Sequence, residues 1–260
     1  MKTNFILTGF AALTVLFISC KKPDAGPEGP QGPQGNSGPA LTGNLKGYIN
    51  HFDVAGAKVT TDLANDSVYL DGTGKSAVTD ANGLFTFSGI STGVYNMTVK
   101  KAASAYGYTK VQNIEFAGNG DTYRNGSMSA TPSNSVSTLL AFDTTISSVN
   151  YIRIKGTLPA SSKAQSVIVF FNAPGSTAVN AASNSTYYIL NVLANATAYA
   201  KNIATSDLYD LGFISGNTAY IAAYTIGSNT NASSFVDFTT NRTVFTAISS
   251  GFLTAQAPVQ

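Results

Sequence analysis

The sequence predicts an all-β fold: two consecutive antiparallel β-sandwich domains, residues 42–128 and 133–260, behind an apolar leader and a Gly/Pro-rich tether. Three observations predict it. Only 11% of the 260 residues are charged, too few to wet the outer faces of long surface helices. Apolar residues recur with a period of two rather than 3.6. Clusters of Gly, Asn, Asp and Ser punctuate those runs at the short intervals typical of strands and turns.

The N-terminus comes first. Lys2 precedes an apolar run from Phe5 to Ile18. That run is short for a membrane span, which needs about 20 residues, and suits the core of a secretory signal peptide occupying residues 1–19. It ends at Leu16-Phe17-Ile18-Ser19-Cys20, which resembles a lipobox. The resemblance implies cleavage before Cys20 and attachment of lipid to its thiol, and so a membrane contact through acyl chains worth about 0.8 kcal/mol per buried CH₂. Cys20 is the sole cysteine, so no disulfide forms within the chain, and its role is attachment rather than nucleophilic chemistry.

Residues 20–41 form the tether. After Lys21-Lys22-Pro23-Asp24, glycine falls at every third position from Gly26 to Gly38. This is the collagen pattern, in which only glycine fits the axis of a triple helix. Five triplets favour a polyproline-II spacer, reaching roughly 45 Å at about 3.1 Å per residue, over a trimerising helix. The layout is similar to that of Bacteroidetes lipoproteins. It implies a cell-envelope location, lipid-anchored in the outer membrane, on either its periplasmic or its outer side.

Residues 42–128 show the period-two pattern most clearly. In Val94-Tyr95-Asn96-Met97-Thr98-Val99-Lys100 the residues Tyr95, Met97 and Val99 share one face, and Phe85 and Phe87 repeat the arrangement. Asp71-Gly72, Asp80-Ala81-Asn82-Gly83 and Ser91-Thr92-Gly93 are the turns between strands. Gly47, Gly56-Ala57-Lys58-Val59, Thr79 through Phe87, Ile90, Gly93 and Tyr95 resemble the carboxypeptidase-regulatory-like domain, a transthyretin-like sandwich. The resemblance implies that Asp80–Gly83 closes a hairpin, that both phenylalanines enter the core, and that Gly93 permits close approach before Tyr95. It implies an accessory module with no catalytic residue of its own.

In residues 133–260, Val167–Phe171 is wholly apolar, as a central strand would be, and Tyr187–Leu193 gives another strand. Gly216–Tyr224, a polar loop from Gly227 to Ser233, and Phe235–Thr240 resemble the end of a fibronectin type III-like domain. The resemblance implies a tyrosine corner at Tyr220, whose hydroxyl would bond backbone upstream. Thr243–Ile248 could add a strand, and the end from Ala255 is expected to fray.

Candidate chemistry is sparse. His51 is the one histidine and falls on a strand beside Phe52, which precludes a multi-histidine metal site. Asp62, Asn65 and Asp66 offer oxygen ligands to a hard cation but lack EF-hand spacing. Gly72-Thr73-Gly74-Lys75 is a turn rather than a phosphate loop. Lys46 or Lys58, with Glu115 and Asn113 or Asn125, are the residues an isopeptide crosslink would draw on. Asp66-Ser67-Val68 and Asp143-Thr144-Thr145 resemble the short O-glycosylation site of Bacteroidetes.

For sugar binding, Tyr106 and Tyr108 in a loop are the candidate ligand-binding pair. The net charge of +2 without a basic run removes the electrostatic footprint of a nucleic-acid partner. The expectation is therefore a non-enzymatic envelope lipoprotein with no cofactor, no metal and no catalytic residue, acting as a structural, adhesive or ligand-presenting module. Its partners would be the membrane through its lipid, and an envelope protein or a glycan. The alternative is a carbohydrate-binding accessory lipoprotein of a glycan-uptake system.

Overall fold

The alternating runs fold as strands throughout. The computed structural model describes Gly26, Gly38, residues 40–102 and residues 105–260. Cys20, the apolar leader and most of the Gly-Pro triplets lie outside the described residues. From Thr42 onward the chain forms β1 (Thr42–Phe52), β2 (Lys58–Val59), β3 (Asp66–Leu70), β4 (Lys75–Val78), β5 (Leu84–Ser91), β6 (Gly93–Lys101), β7 (Thr109–Phe116), β8 (Gly120–Tyr123) and β9 (Gly126–Ser129). One sheet is built on the long strand β1, which pairs with β5 and β2 antiparallel and with β8 and β9 parallel. The other has the order β4-β3-β6-β7. Between them Leu45, Ile49, Val68, Phe85, Phe87, Met97, Val99, Ile114 and Met128 make a closed apolar core. Both phenylalanines thus enter it as the alternation implies.

The turn chemistry acts as expected, with one change of role. Asp80 Oδ1 accepts from the backbone N–H of Asn82 and Leu84, and Gly83 takes a positive φ of 79°. A side chain on Gly83 would meet the Ile49 carbonyl at 2.9 Å. The flanking strands β4 and β5 belong to different sheets, so this turn is a corner between layers, not a hairpin. Gly93 lies against the Tyr95 ring, where an added Cβ would come within 3.3 Å of the hydroxyl. That hydroxyl donates to the Ser91 carbonyl, four residues upstream, at 2.8 Å.

The remainder contains β10 (Thr138–Ile146), β11 (Val149–Thr157), β12 (Gln165–Phe171), β13 (Thr186–Val192), β14 (Ala198–Ala204), α1 (Thr205–Tyr209), β15 (Thr218–Ile226), α2 (Thr230–Ser233), β16 (Ser234–Asp237), β17 (Arg242–Phe245) and β18 (Leu253–Pro258). Its sheets run β10-β11-β14 and β13-β12-β15-β18, all antiparallel, and they enclose Ile152, Ile154, Val167, Val169, Phe171, Ile203, Ile221, Ala257 and Val259. The strand β12 is apolar on both faces because the outside of its sheet is also covered. Ile168, Phe170, Ala222, Tyr224 and Phe245 form a second apolar layer there, with the Phe170 ring 5.7 Å from Tyr224 and 5.8 Å from Phe245. Residues 227–252, inserted between β15 and β18, supply that cover.

Three expectations for this half are corrected. The segment from Ala255 does not fray: it lies in β18, paired with β15, and Ala257 and Val259 are buried to 1% exposure. Small alanines carry little hydrophobic signal, which hid the strand. Phe235–Thr240 is not the closing strand; β16 pairs only with β17, in a hairpin of the insertion. Tyr220 makes no tyrosine corner, because the inward residues of β15 are Ala219, Ile221 and Ala223, so Tyr220 points outward. Its backbone N–H goes to Asn172 Oδ1 at 2.8 Å. Tyr199, in the core of this half, does bond backbone: its hydroxyl donates to the Thr138 carbonyl at 2.9 Å.

Candidate functional site: the joint between the sandwiches

Ala40–Gln260 forms one compact unit, and the two cores meet at the end of β1. Past Phe52 the chain runs into Asp53 and Val54. The Val54 carbonyl accepts from Ser228 N at 2.9 Å, and Asp53 Oδ2 accepts from Lys163 Nζ at 2.6 Å. The Asp53 carboxyl is pulled upward by burial. The Lys163 ammonium and the N–H groups of Ala57 and Ala55 together outweigh that pull and hold it below its ordinary value of 3.8. Residues 227–252 complete the joint from the other side.

The candidate pair Tyr106 and Tyr108 belongs to this joint, and the structure sends the two rings in different directions. Tyr106 packs against the first core, 4.5 Å from the His51 ring, and bridges to Ala130. Tyr108 is 37% exposed, with its ring 5.5 Å from Phe235 of the insertion, and its carbonyl accepts from Thr246 Oγ1 at 2.6 Å. Burial pushes both phenols above their ordinary value, with Asp62 adding to the shift at Tyr106 and Asp237 at Tyr108. Gly107 between them is buried; a Cβ there would lie 2.6 Å from Ala247 N. The glycine is needed for backbone approach across the joint.

Beside this contact opens a cleft of about 400 Å³, lined from the first sandwich by Val54 and Ala55 and from the second by Asn134, residues 159–166 and Thr225. Its polar groups are hydroxyls and amides. Ser166 Oγ lies 3.1 Å from Asn191 Oδ1 and 3.2 Å from Ser228 Oγ, Gln165 Nε2 donates to the Pro159 carbonyl at 2.8 Å, and Asn134 donates to Gln165 Oε1. The Asp53–Lys163 pair closes one side. Such a lining offers donors and acceptors to a neutral polar ligand. Sequence reading missed these residues because they come from segments far apart in the chain, loops together with the ends of β12 and β15; the polar run Ser161-Ser162-Lys163 was the available signal.

The other candidates resolve as structure. His51 is fully buried with Nε2 2.8 Å from Asp66 Oδ2, and Asp66 is buried too. The Lys101 ammonium donates to the carbonyls of Asp62 and Ala64 at 2.7 and 2.9 Å and lies 3.3 and 3.4 Å from Asp62 Oδ1 and Asp66 Oδ1. A lysine thus fills the oxygen cradle that Asp62, Asn65 and Asp66 suggested for a cation. In the Asp66-Ser67-Val68 motif Asp66 and Val68 are buried and Ser67 is partly exposed. Ser129 pairs with Phe52 in the parallel register, so its hydroxyl leaves the opposite face from His51 and the two make no nucleophile–base pair. Lys46 holds Asp121 at 2.6 Å on the surface, and Glu115 is exposed, so neither lies in the dry setting that a crosslink needs. Among the described residues no cluster of three metal-ligating side chains occurs.

No family model and no curated protein matches this chain. Among solved structures, it is similar to a type II cohesin–X-dockerin complex from Acetivibrio cellulolyticus, at 28% identity over 34% of this chain, with a TM-score of 0.28. The match spans 58% of that chain. It is also similar to a candidate carbohydrate binding protein from Bacteroides uniformis, at 13% identity over 82% of this chain and 98% of that one, with a TM-score of 0.30. A DUF3823 family protein from Parabacteroides merdae matches at 12% identity over 81% of this chain and 98% of that one, with a TM-score of 0.27. At these scores the likeness carries no function, which is argued below from the residues.

Proposed function

We propose that this chain is a non-enzymatic cell-envelope lipoprotein, anchored through Cys20, whose two sandwiches act as one rigid body presenting a ligand cleft at their joint. The anchor rests on the lipobox-like Leu16-Phe17-Ile18-Ser19-Cys20, and the observation that carries the cleft is the joint itself. Its contacts come from four separate segments, around Asp53, Tyr108, Lys163 and Phe235, which fixes the cleft walls relative to one another. The strand orders β4-β3-β6-β7 and β10-β11-β14 with β13-β12-β15-β18 support accessory modules of the transthyretin-like and fibronectin type III-like kinds. The test is metabolic labelling with an alkyne fatty acid. The natural chain takes up label and pellets with membranes, and Cys20→Ser does neither; label persisting on Cys20→Ser refutes the anchor.

A second reading, a carbohydrate-binding accessory lipoprotein, is favoured by the lining of the cleft. Hydroxyls and amides with no aromatic ring suit the rim of a sugar more than an apolar ligand. Glycan binding lost on Lys163→Gln or Gln165→Ala supports it, and a full glycan panel without a hit removes it.

A further inference from the structure

The outer face of β10-β11-β14 is a second surface, on the sheet that does not carry Gln165, Ser166 and Thr225 of the cleft. Its cross-strand rows follow from the register: Thr138, Thr157 and Ala198; Leu140, Lys155 and Ala200; Phe142, Arg153 and Asn202; Thr144, Tyr151 and Ala204. Along β10 stand tall apolar side chains, with Leu140 56% and Phe142 36% exposed. Along β14 the same face carries alanines and one asparagine. Over the Thr138–Leu140 end of this face lies a groove of about 460 Å³, lined by Leu140 on one side, Ala198 and Ala200 on the other, and Arg153 and Lys155 between them; Phe142 stands one row beyond it along β10.

Those cations make no ion pair in the fold. Arg153 and Lys155 have no carboxylate within 4.0 Å among the described residues. Lys155 Nζ instead sits 5.3 Å from the centre of the Phe142 ring. Asp143, the one carboxylate on the three strands, is out of phase with this face and accepts from Gln260. We propose that the groove binds a linear acidic polysaccharide, with Arg153 and Lys155 pairing successive uronate carboxylates and Phe142 and Leu140 packing against a sugar face.

This inference rests on the carbohydrate reading above and adds a ligand class and a separate site to it. Residues two apart on a strand lie about 7 Å from each other, a spacing on the scale of a sugar unit. A guanidinium presents a planar fork to a carboxylate. The alanines of β14 offer a flat apolar shelf at ring scale inside the groove, and Phe142 extends the apolar edge of β10 by one more row for a chain that continues past it. Two cations and a net charge of +2 are too few to hold a nucleic-acid backbone.

The experiment uses the full chain carrying Cys20→Ser, and calorimetric titration with polygalacturonate, neutral pullulan and a short DNA duplex. Polygalacturonate is expected to bind, and pullulan and DNA much more weakly. Arg153→Gln with Lys155→Gln should weaken binding at least tenfold, and Phe142→Ala severalfold, while the exposed control Lys75→Gln changes nothing. Releasing counterions from two charges, affinity should fall about tenfold between about 50 and 200 mM salt. DNA binding as tight as polygalacturonate overturns the ligand class. Polysaccharide binding that survives the double variant but is lost on Lys163→Gln overturns the groove while keeping the carbohydrate reading; no polygalacturonate binding at all removes the groove proposal, and the glycan panel decides the carbohydrate reading separately.

Discussion

Replacing Gly107 by alanine tests the joint at its tightest point. A Cβ at this position would lie 2.6 Å from Ala247 N and from the Thr246 carbonyl carbon. Ordinary contact begins at 3.4 Å, so the facing backbone must retreat by about 0.8 Å. That retreat pulls on the hydrogen bond from Thr246 Oγ1 to the Tyr108 carbonyl and on the Tyr108–Phe235 ring pair. A hydrogen bond of this kind contributes about 1 kcal/mol and an aromatic pair about 0.5–1.5 kcal/mol, so the expected loss is about 2 kcal/mol. The assay is urea unfolding, followed by tyrosine fluorescence and by circular dichroism. Gly107→Ala should lower the midpoint and separate the two probes, since the sandwiches then melt independently. Stability within about 0.5 kcal/mol of the natural chain, the ordinary scatter of surface substitutions, would refute the close-approach argument.

Three more predictions concern the interior and the joint. Lys101→Met leaves the buried Asp66 carboxyl without its ammonium partner, the contact to His51 Nε2 remaining, so urea unfolding should show a loss of about 3–5 kcal/mol; a loss below about 1 kcal/mol would mean that the ammonium contributes only packing. Ala257→Glu places an unpaired charge at a position 1% exposed and should cost about 4 kcal/mol or more, or block folding in expression trials, whereas a frayed terminus would tolerate it. Acid should loosen the joint. The Asp53 carboxyl is held below its ordinary 3.8 in the folded state, so its contribution is present above that value and is lost as pH falls through the lower folded one. Thermal melts of Lys163→Gln and the natural chain should differ above pH 3.8 and draw together progressively as the pH falls below it, and a gap that stays constant down to pH 2 would contradict the pairing.

The first sandwich was the more legible half. Its alternation and its turn residues are local signals, and Phe85, Phe87, Met97 and Val99 sit in the core where a period of two places them. The second half hid its closing strand because β18 reads Leu-Thr-Ala-Gln-Ala-Pro, alternation written in alanine, which buries too little area to stand out. Its central strand β12 read correctly as apolar on both faces, but nothing local shows that the outer face is covered by residues 227–252. The candidate site fared least well for the same reason. Tyr106-Gly107-Tyr108 stands out as aromatic residues in a loop, but Tyr106 is packed against His51, and the residues against Gly107 and Tyr108, namely Phe235, Thr246 and Ala247, lie more than a hundred positions away. Exposure is a tertiary property, and no spacing rule reports it.

The most direct test of the rigid joint is a distance measured across it. With Cys20→Ser removing the one native thiol, spin labels on Ser88→Cys and Asn202→Cys would sit on exposed strand positions of the first and second sandwich. Pulsed electron paramagnetic resonance should then return a single narrow distance distribution, unchanged by moderate salt and broadened by Gly107→Ala. A broad or multiple distribution in the natural background would mean that the sandwiches move as separate bodies, and the joint would lose its claim to hold a preformed cleft.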